Sequence, residues 1–563
     1  MTGRTGARVV ADMLDGYGVT HVFLVPAILR RTLAELERHH PHIERVVTHG
    51  EKAAAYMADG YARVSGRPGV AMAQVVGALN LAAGLREPFL AGSPVVALTG
   101  GRSPATQFRH VYQEVDDLPA FGPVTKLNAT VDDAGRFPDM LRHAFRVATT
   151  GAPGPVHLQI RGNEGQLDAE ETDASPLVEP EFGLVPPIRT APDEESVADV
   201  LRLLAGADRP VIVAGGGVRH SGAGAELVAL AEALGIPVAT SANGKDTIPG
   251  THPLSAGVAG SYSRECANQV VARADLVCFV GTRTGGMTTH FWAVPPIGTA
   301  AIQIDIEPSH LGRNYPLRAS IAADAKLTLA RMLASAADHG TPDRTAWLAE
   351  VDRLKAGWRA RYREVLTSDA VPIRPERIAA ELTAGLPADA VLTVDTGHAG
   401  MWMAQFHDTT SPGQGYLRSA GHLGWAFSAG VGAKCGAPER PVVAFTGDAG
   451  LYYHLGEIET AVRRRINLVT VVNNNGGGNQ SKRGFDRAYG GQPTGRSREL
   501  WTYRDVDFAR IAEEMGALGI RVDRPGDLAK ALEVALSADR PVVVDVHTDI
   551  GVVAPLPVTG QEP

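Results

Sequence analysis

A chain of 563 residues is too long for one hydrophobic core, and about three domains of ordinary size are expected. With 44% hydrophobic and 21% charged residues it is not a disordered chain, so its 63 glycines and 37 prolines mark turns between short elements. A formal charge of -8 gives no support to bulk nucleic-acid binding. Three scattered cysteines (Cys266, Cys278, Cys435) exclude a disulfide framework and point to a reducing compartment.

No membrane partner is expected, because no window approaches about 18 uncharged apolar residues. The opening TGRTGARVVADMLDGYG has no apolar run of signal length either, so a cytoplasmic location is expected. Along the first region, candidate strands THVFLV (20–25), IERVVTH (43–49), GVAMAQVV (69–76) and PVVALTG (94–100) alternate with helix-like segments such as LRRTLAELERHH. The polar, proline-bearing stretch 161–190 reads as a linker. A second unit carries RPVIVAGGG (209–217), IPVAT (236–240), DLVCFVG (275–281) and AAIQIDI (300–306). A third carries VLTVDTG (391–397), PVVAFTGD (441–448), INLVTVVNN (466–474) and PVVVDVHTD (541–549). Continuous apolar runs of this kind belong to parallel strands covered on both faces, so the expected class is α/β. Its three domains are expected at 1–185, 190–345 and 355–555.

The third unit holds the first chemical signal. PVVAFT ends at Gly447-Asp448-Ala449-Gly450, a helix-like LGEIETAVRRR follows, and INLVTVV leads to Asn475, 27 residues after Asp448. A strand, a helix and a parallel strand bring both carboxyl ends together, where ligands of open α/β sheets bind. The Asp448 carboxylate, the Asn475 amide and a Gly477 carbonyl offer hard oxygens to Mg²⁺ or Ca²⁺. Phosphate oxygens and water would fill the shell, and N–H groups near Gly450 could meet the phosphate. A tight turn followed by an asparagine-rich turn accounts for the same residues.

The GD-x-G and NN pair resembles the cofactor motif of thiamine-diphosphate enzymes, with Ala449 in place of a usual glycine. A methyl there crowds the diphosphate only if its φ is positive. The resemblance makes Asp448, Asn475 and Gly477 the Mg²⁺ ligands. The stretch THGEKAAAYMADGYAR (48–63) is similar to the same family's glutamate segment, with Glu51 nine positions before Gly60. In such enzymes the glutamate hydrogen-bonds the pyrimidine N1' and favours the tautomer that removes the thiazolium C2 proton; otherwise Glu51 is an ordinary helix-start acid. Gly77 and Asn80 are retained from an SGPGATN-like segment that here reads QVVGALN. Gly397 and His398 lie at a diphosphate-contacting loop, and Leu423 of GHLG stands where a bulky apolar residue supports the cofactor. Sites between subunits follow from the resemblance, hence a homodimer or homotetramer.

The order of motifs looks like the acetolactate synthase, pyruvate oxidase and benzoylformate decarboxylase group, closest to acetolactate synthase-like large subunits. YQEVDDLPAFGPVTK (112–126) supplies Gln113 as a candidate catalytic residue. The expected activity is decarboxylation of a small 2-oxo acid with carboligation to a carbonyl acceptor. The rivals are a nonoxidative decarboxylase and a cofactor-binding regulatory protein without turnover. VFLVPA replaces a VFGVPG-like loop, so Leu24, Val25 and Pro26, with His110, are candidates for altered specificity. FAD is possible but not favoured, since the glycines at 215–217 lack GxGxxG spacing. The segment 473–500 reads as a long glycine-rich loop whose Lys482, Arg483, Arg487, Arg496 and Arg498 could close over an anion.

Overall fold

The computed structural model describes residues 4–340 and 342–556. Three six-stranded sheets organise them, and every pairing within these sheets is parallel. The N-terminal sheet runs in the order Glu44–Val47, His21–Leu24, Gly69–Ala73, Val95–Gly101, Val156–Arg161 and Leu127–Val131. The central sheet runs Ser255–Val258, Val238–Thr240, Pro210–Ala214, Leu276–Val280, Ala300–Asp305 and Leu317–Ala322. The C-terminal sheet runs Gly415–Arg418, Val391–Val394, Val442–Gly447, Val469–Asn474, Val542–His547 and Leu518–Val522. Helices cover both faces, as continuous apolar strands require.

The linker keeps little regular structure, but its Glu171–Thr172 pairs antiparallel with Arg4–Thr5 and so returns to the start of the chain. Segment 473–500 departs from the expected loop, because Asn479–Ala488 forms a helix. Lys482 and Asp486 sit one turn apart on that helix as an ion pair at 2.6 Å, and Arg483 donates to the Ala554 carbonyl at 3.3 Å. Arg496 lies 4.0 Å from Glu499, so three of the five basic residues have partners. Among the described residues no helix is long and apolar enough to cross a membrane.

Two helices fix the N-terminal sheet against the C-terminal one. Glu51–Ser65 packs on Trp425–Gly436, and Tyr56, Met57 and Tyr61 share one buried cluster with Trp425, Phe427 and Val431. Glycine makes the approach possible: a Cβ on Gly60 would lie 2.0 Å from the Ala429 carbonyl oxygen, and one on Gly432 would lie 1.8 Å from that of Met57. Backbone cannot yield as a side chain can. Gly432→Ala is therefore expected to lower the unfolding free energy by about 1–3 kcal/mol, read as an earlier thermal transition.

Candidate cofactor site

Strands Val442–Gly447 and Val469–Asn474 are neighbours with Gly447 opposite Asn473, so the residues just past their ends meet. Asp448 opens the short helix Asp448–Tyr452 and is buried. Its Oδ2 accepts the Gly477 N–H at 2.9 Å, and the same N–H reaches Asn475 Oδ1 at 3.2 Å. One donor thus gathers both side-chain oxygens. Burial pushes the Asp448 carboxyl up to about 6, against the opposing pull of backbone N–H groups, among them Ala449 at 2.7 Å. Ala449 lies within the helix and outside the left-handed region, so its methyl imposes no backbone strain.

Gly450 has no room for a side chain, since a Cβ would lie 2.4 Å from Thr446 Oγ1 and 2.5 Å from Asp395 Oδ2. Asp395, just past the strand Val391–Val394, is a residue the sequence motifs did not single out. It accepts from the Thr446 hydroxyl at 2.9 Å and from the Gly424 N–H at 3.1 Å, and burial pushes it up to about 7. Its only sequence signal is an acid at the carboxyl end of a buried strand, two residues before a glycine. That glycine, Gly397, adopts φ 73° and needs to be glycine. His398 begins the helix His398–Phe406 with both ring nitrogens buried and unpartnered, and burial lowers its pKa to about 4. Leu423 is 46% exposed on the turn that Gly424 closes at φ 80°.

A second group forms at the start of Glu51–Ser65. Asn80 Nδ2 donates to Glu51 Oε2 at 3.1 Å. A Cβ at Gly77 would lie 2.1 Å from Glu51 Oε1, so only glycine leaves room for the carboxyl group. Gln74 Nε2, three residues before Gly77, donates to Gln113 Oε1 at 3.2 Å, and this brings Gln113 to the same face. A cavity of about 360 Å³ is lined by Glu51, Lys52 and Asn80 on one side and by residues 452–457 on the other. Asp448, Asn475 and Leu423 are not among its lining residues.

The specificity candidates scatter. Leu24 is fully buried in the core with Val22, Ile28 and Met72 at the end of its strand. Val25 is half-buried, Pro26 exposed, and His110 exposed on a loop with φ 53°. Ala27, where relatives of the VFGVPG type have glycine, keeps a glycine-like φ of 95°. In the central domain, Gly216, Gly217, Gly281, Thr282, Arg283 and Asp305 line a cavity of about 380 Å³.

Three sequence signatures match the chain: a thiamine pyrophosphate enzyme N-terminal TPP binding domain over residues 4–120, a central domain over 197–332 and a C-terminal TPP binding domain over 395–546. A probable acetolactate synthase large subunit of Methanocaldococcus jannaschii is 32% identical over 97% of this chain and 92% of its own length. The chain belongs to the thiamine pyrophosphate (diphosphate) enzymes. An acetolactate synthase large subunit of Corynebacterium glutamicum is 30% identical over 96% of this chain and 86% of its own. The putative thiamine pyrophosphate-containing protein YdaP of Bacillus subtilis is 28% identical over 99% and 93%. In this thiamine pyrophosphate enzyme, Glu51, Gly77, Asn80 and Gln113 fall within the N-terminal match, and Asp395, Leu423, Asp448 and Asn475 within the C-terminal one.

The residues present fit the diphosphate end of such a cofactor. Two convergent oxygen donors, a glycine backbone without space for a side chain, and two orphaned buried histidine nitrogens meet at one sheet end. Among the described residues no group of three or more His, Cys, Asp or Glu is arranged to hold a metal. Asp448 is the one carboxylate of the Asp448, Asn475 and Gly477 set, a donor set that suits a hard cation sharing its shell with phosphate rather than a protein cage.

Proposed function

We propose that the chain is a Mg²⁺- and thiamine-diphosphate-dependent enzyme that decarboxylates a small 2-oxo acid and joins the remaining fragment to a carbonyl acceptor. On this reading it is similar to acetolactate synthase but has its own acceptor specificity. The observation that carries this reading is the convergence of Asp448 and Asn475 oxygens on the Gly477 N–H, with Glu51 seated separately between Gly77 and Asn80. When bound, thiamine diphosphate supplies the electron sink that lets a 2-oxo acid lose carbon dioxide.

The chain's own residues have narrower tasks. Asp448, Asn475 and the Gly477 carbonyl would hold Mg²⁺ with the diphosphate, to which Gly447, Ala449 and Gly450 would present backbone. His398, with unpartnered nitrogens, and Gly397 border the same oxygens. Glu51 holds a proton at the aminopyrimidine ring nitrogen, oriented by Asn80. Leu423 would support the bound cofactor, and Gln113 would orient substrate or water. Val76, Leu79 and Leu423 leave 57%, 50% and 46% of their surface exposed, which supports active sites completed by a second copy in a homodimer or homotetramer. Decarboxylation with carboligation needs no external electron acceptor, so flavin is not favoured, although the central cavity of about 380 Å³ is of ligand size.

Incubating the purified enzyme with thiamine diphosphate, Mg²⁺ and a panel of 2-oxo acids, with and without aldehydes, tests the reading. A hydroxyketone or acetohydroxy acid is the expected product. Free aldehyde alone would make it a nonoxidative decarboxylase. Cofactor uptake with no product from any donor would make it a regulatory protein.

A further inference from the structure

The turn that carries Leu423, residues 419–424, is held from two sides. Its own domain contributes Asp395, which accepts the Gly424 N–H. The N-terminal domain contributes Glu87, fully buried on the helix Ala78–Ala91. Glu87 accepts the N–H groups of Ala420 and of His422, the latter at 3.2 Å, and lies 3.3 Å from the Ser419 hydroxyl. Ser419 in turn donates to the His422 carbonyl at 2.7 Å. Among the described residues no other side chain of the N-terminal domain binds the turn through so many atoms, and the one further hydrogen bond from it is between the Tyr56 hydroxyl and His422 Nδ1.

Glu87 is itself oriented. Arg63 reaches it at 3.4 Å while pairing with Asp59 at 2.6 Å and donating to the Arg418 carbonyl at 2.8 Å, just before the turn. The Arg63 guanidinium lies 4.5 Å over the Trp425 ring, and Trp425 Nε1 donates to Asp59 Oδ2 at 2.9 Å, just after it. The turn is thus bracketed at both ends by one buried ion cluster of the other domain. Burial raises the Glu87 pKa, while Arg63 and the two backbone N–H groups pull it down. A buried carboxylate that loses its place leaves several unpaired groups, so the arrangement is stiff.

We propose that Glu87 is a positioning residue: from the N-terminal domain it fixes the 419–424 turn and so sets Leu423 against the cofactor. The proposal rests on the role given to Leu423 above. Its predicted signature is selective, because the Asp448 and Asn475 end lies on other elements and does not touch Glu87. In E87Q the amide keeps the shape but offers one oxygen acceptor where the carboxylate offers two.

The test uses the full chain with thiamine diphosphate and Mg²⁺. E87Q is expected to bind the cofactor within about threefold of wild type but to exchange its C2 proton about 10–100-fold more slowly, as a misplacement of about 1 Å produces. L423A should show the same split, and the double variant E87Q/L423A should be little worse than either single one. Exchange within about twofold of wild type in E87Q, or losses that multiply in the double variant, would overturn the proposal. If the wild-type chain takes up no thiamine diphosphate, the cofactor reading itself fails, and amide hydrogen exchange still decides the clamp. Peptides covering 419–423 should lose protection in E87Q, and unchanged protection would sink it. Should E87Q not fold, E87D, which keeps the charge one methylene short, carries the same measurements with a smaller expected loss.

Discussion

Replacing Glu51 by glutamine is expected to leave thiamine diphosphate binding within about threefold of wild type while slowing C2 proton exchange, and turnover with it, by about 10²–10⁴-fold. Glutamine keeps the length of the side chain and can still accept the Asn80 hydrogen bond at 3.1 Å. It fits the same space beside Gly77, where a Cβ would come within 2.1 Å of the native carboxyl oxygen. What it lacks is an acidic proton for the aminopyrimidine. Because shape and neighbours persist, lost exchange with retained binding reads the proton function and not the packing. The measurement is deuterium exchange of the bound cofactor after rapid quench, and unchanged exchange in a fully loaded E51Q protein would remove Glu51 from the chemistry.

The order of elements was legible because central parallel strands announce themselves. VVAFT, LVCFV and VVALT are unbroken apolar runs, and each became an interior strand with both faces covered. Most edges were silent, Glu44–Val47 within IERVVTH being the exception. Leu317–Ala322 and Leu518–Val522 are only partly covered, and their LRASIA and LGIRV look no different from loop or helix. Val156–Arg161 is interior yet hides for another reason: His157 and Gln159 break its apolar run, and burial is tolerated because Thr99, Asn128 and Asp117 satisfy them. As candidates, Asp448 and Asn475 were legible from spacing, and Glu51 from the segment that resembles the family's. Asp395 and Glu87 were not, because each acts through hydrogen bonds to backbone groups remote in sequence, which no local pattern records. Leu24 ends a strand and sits in the core cluster, an orientation that the VFLVPA sequence does not reveal.

Asp448→Asn is expected to weaken Mg²⁺-dependent binding of thiamine diphosphate by at least about 100-fold, since even partners one bond removed from a metal ligand contribute about 10–100-fold. The same carboxyl sets a pH dependence. With its pKa pushed up to about 6 in the metal-free chain, a proton competes with the ion, and wild-type affinity should fall by about tenfold per unit below that pH. The D448N protein, having no carboxyl to titrate there, should keep only the shallower dependence that the diphosphate's own protonation gives. For the stability of the metal-free protein the sign is opposite. The folded chain takes this proton at about 6 and the unfolded chain near 3.8, so the contribution is present below 3.8 and lost as pH rises through 6. Comparing wild type with D448N isolates this one group: over that window the metal-free difference in thermal stability should move against the wild type. With cofactor and Mg²⁺ present it should move in the wild type's favour. A difference that has the same sign in both conditions would mean that Asp448 does not meet the ion.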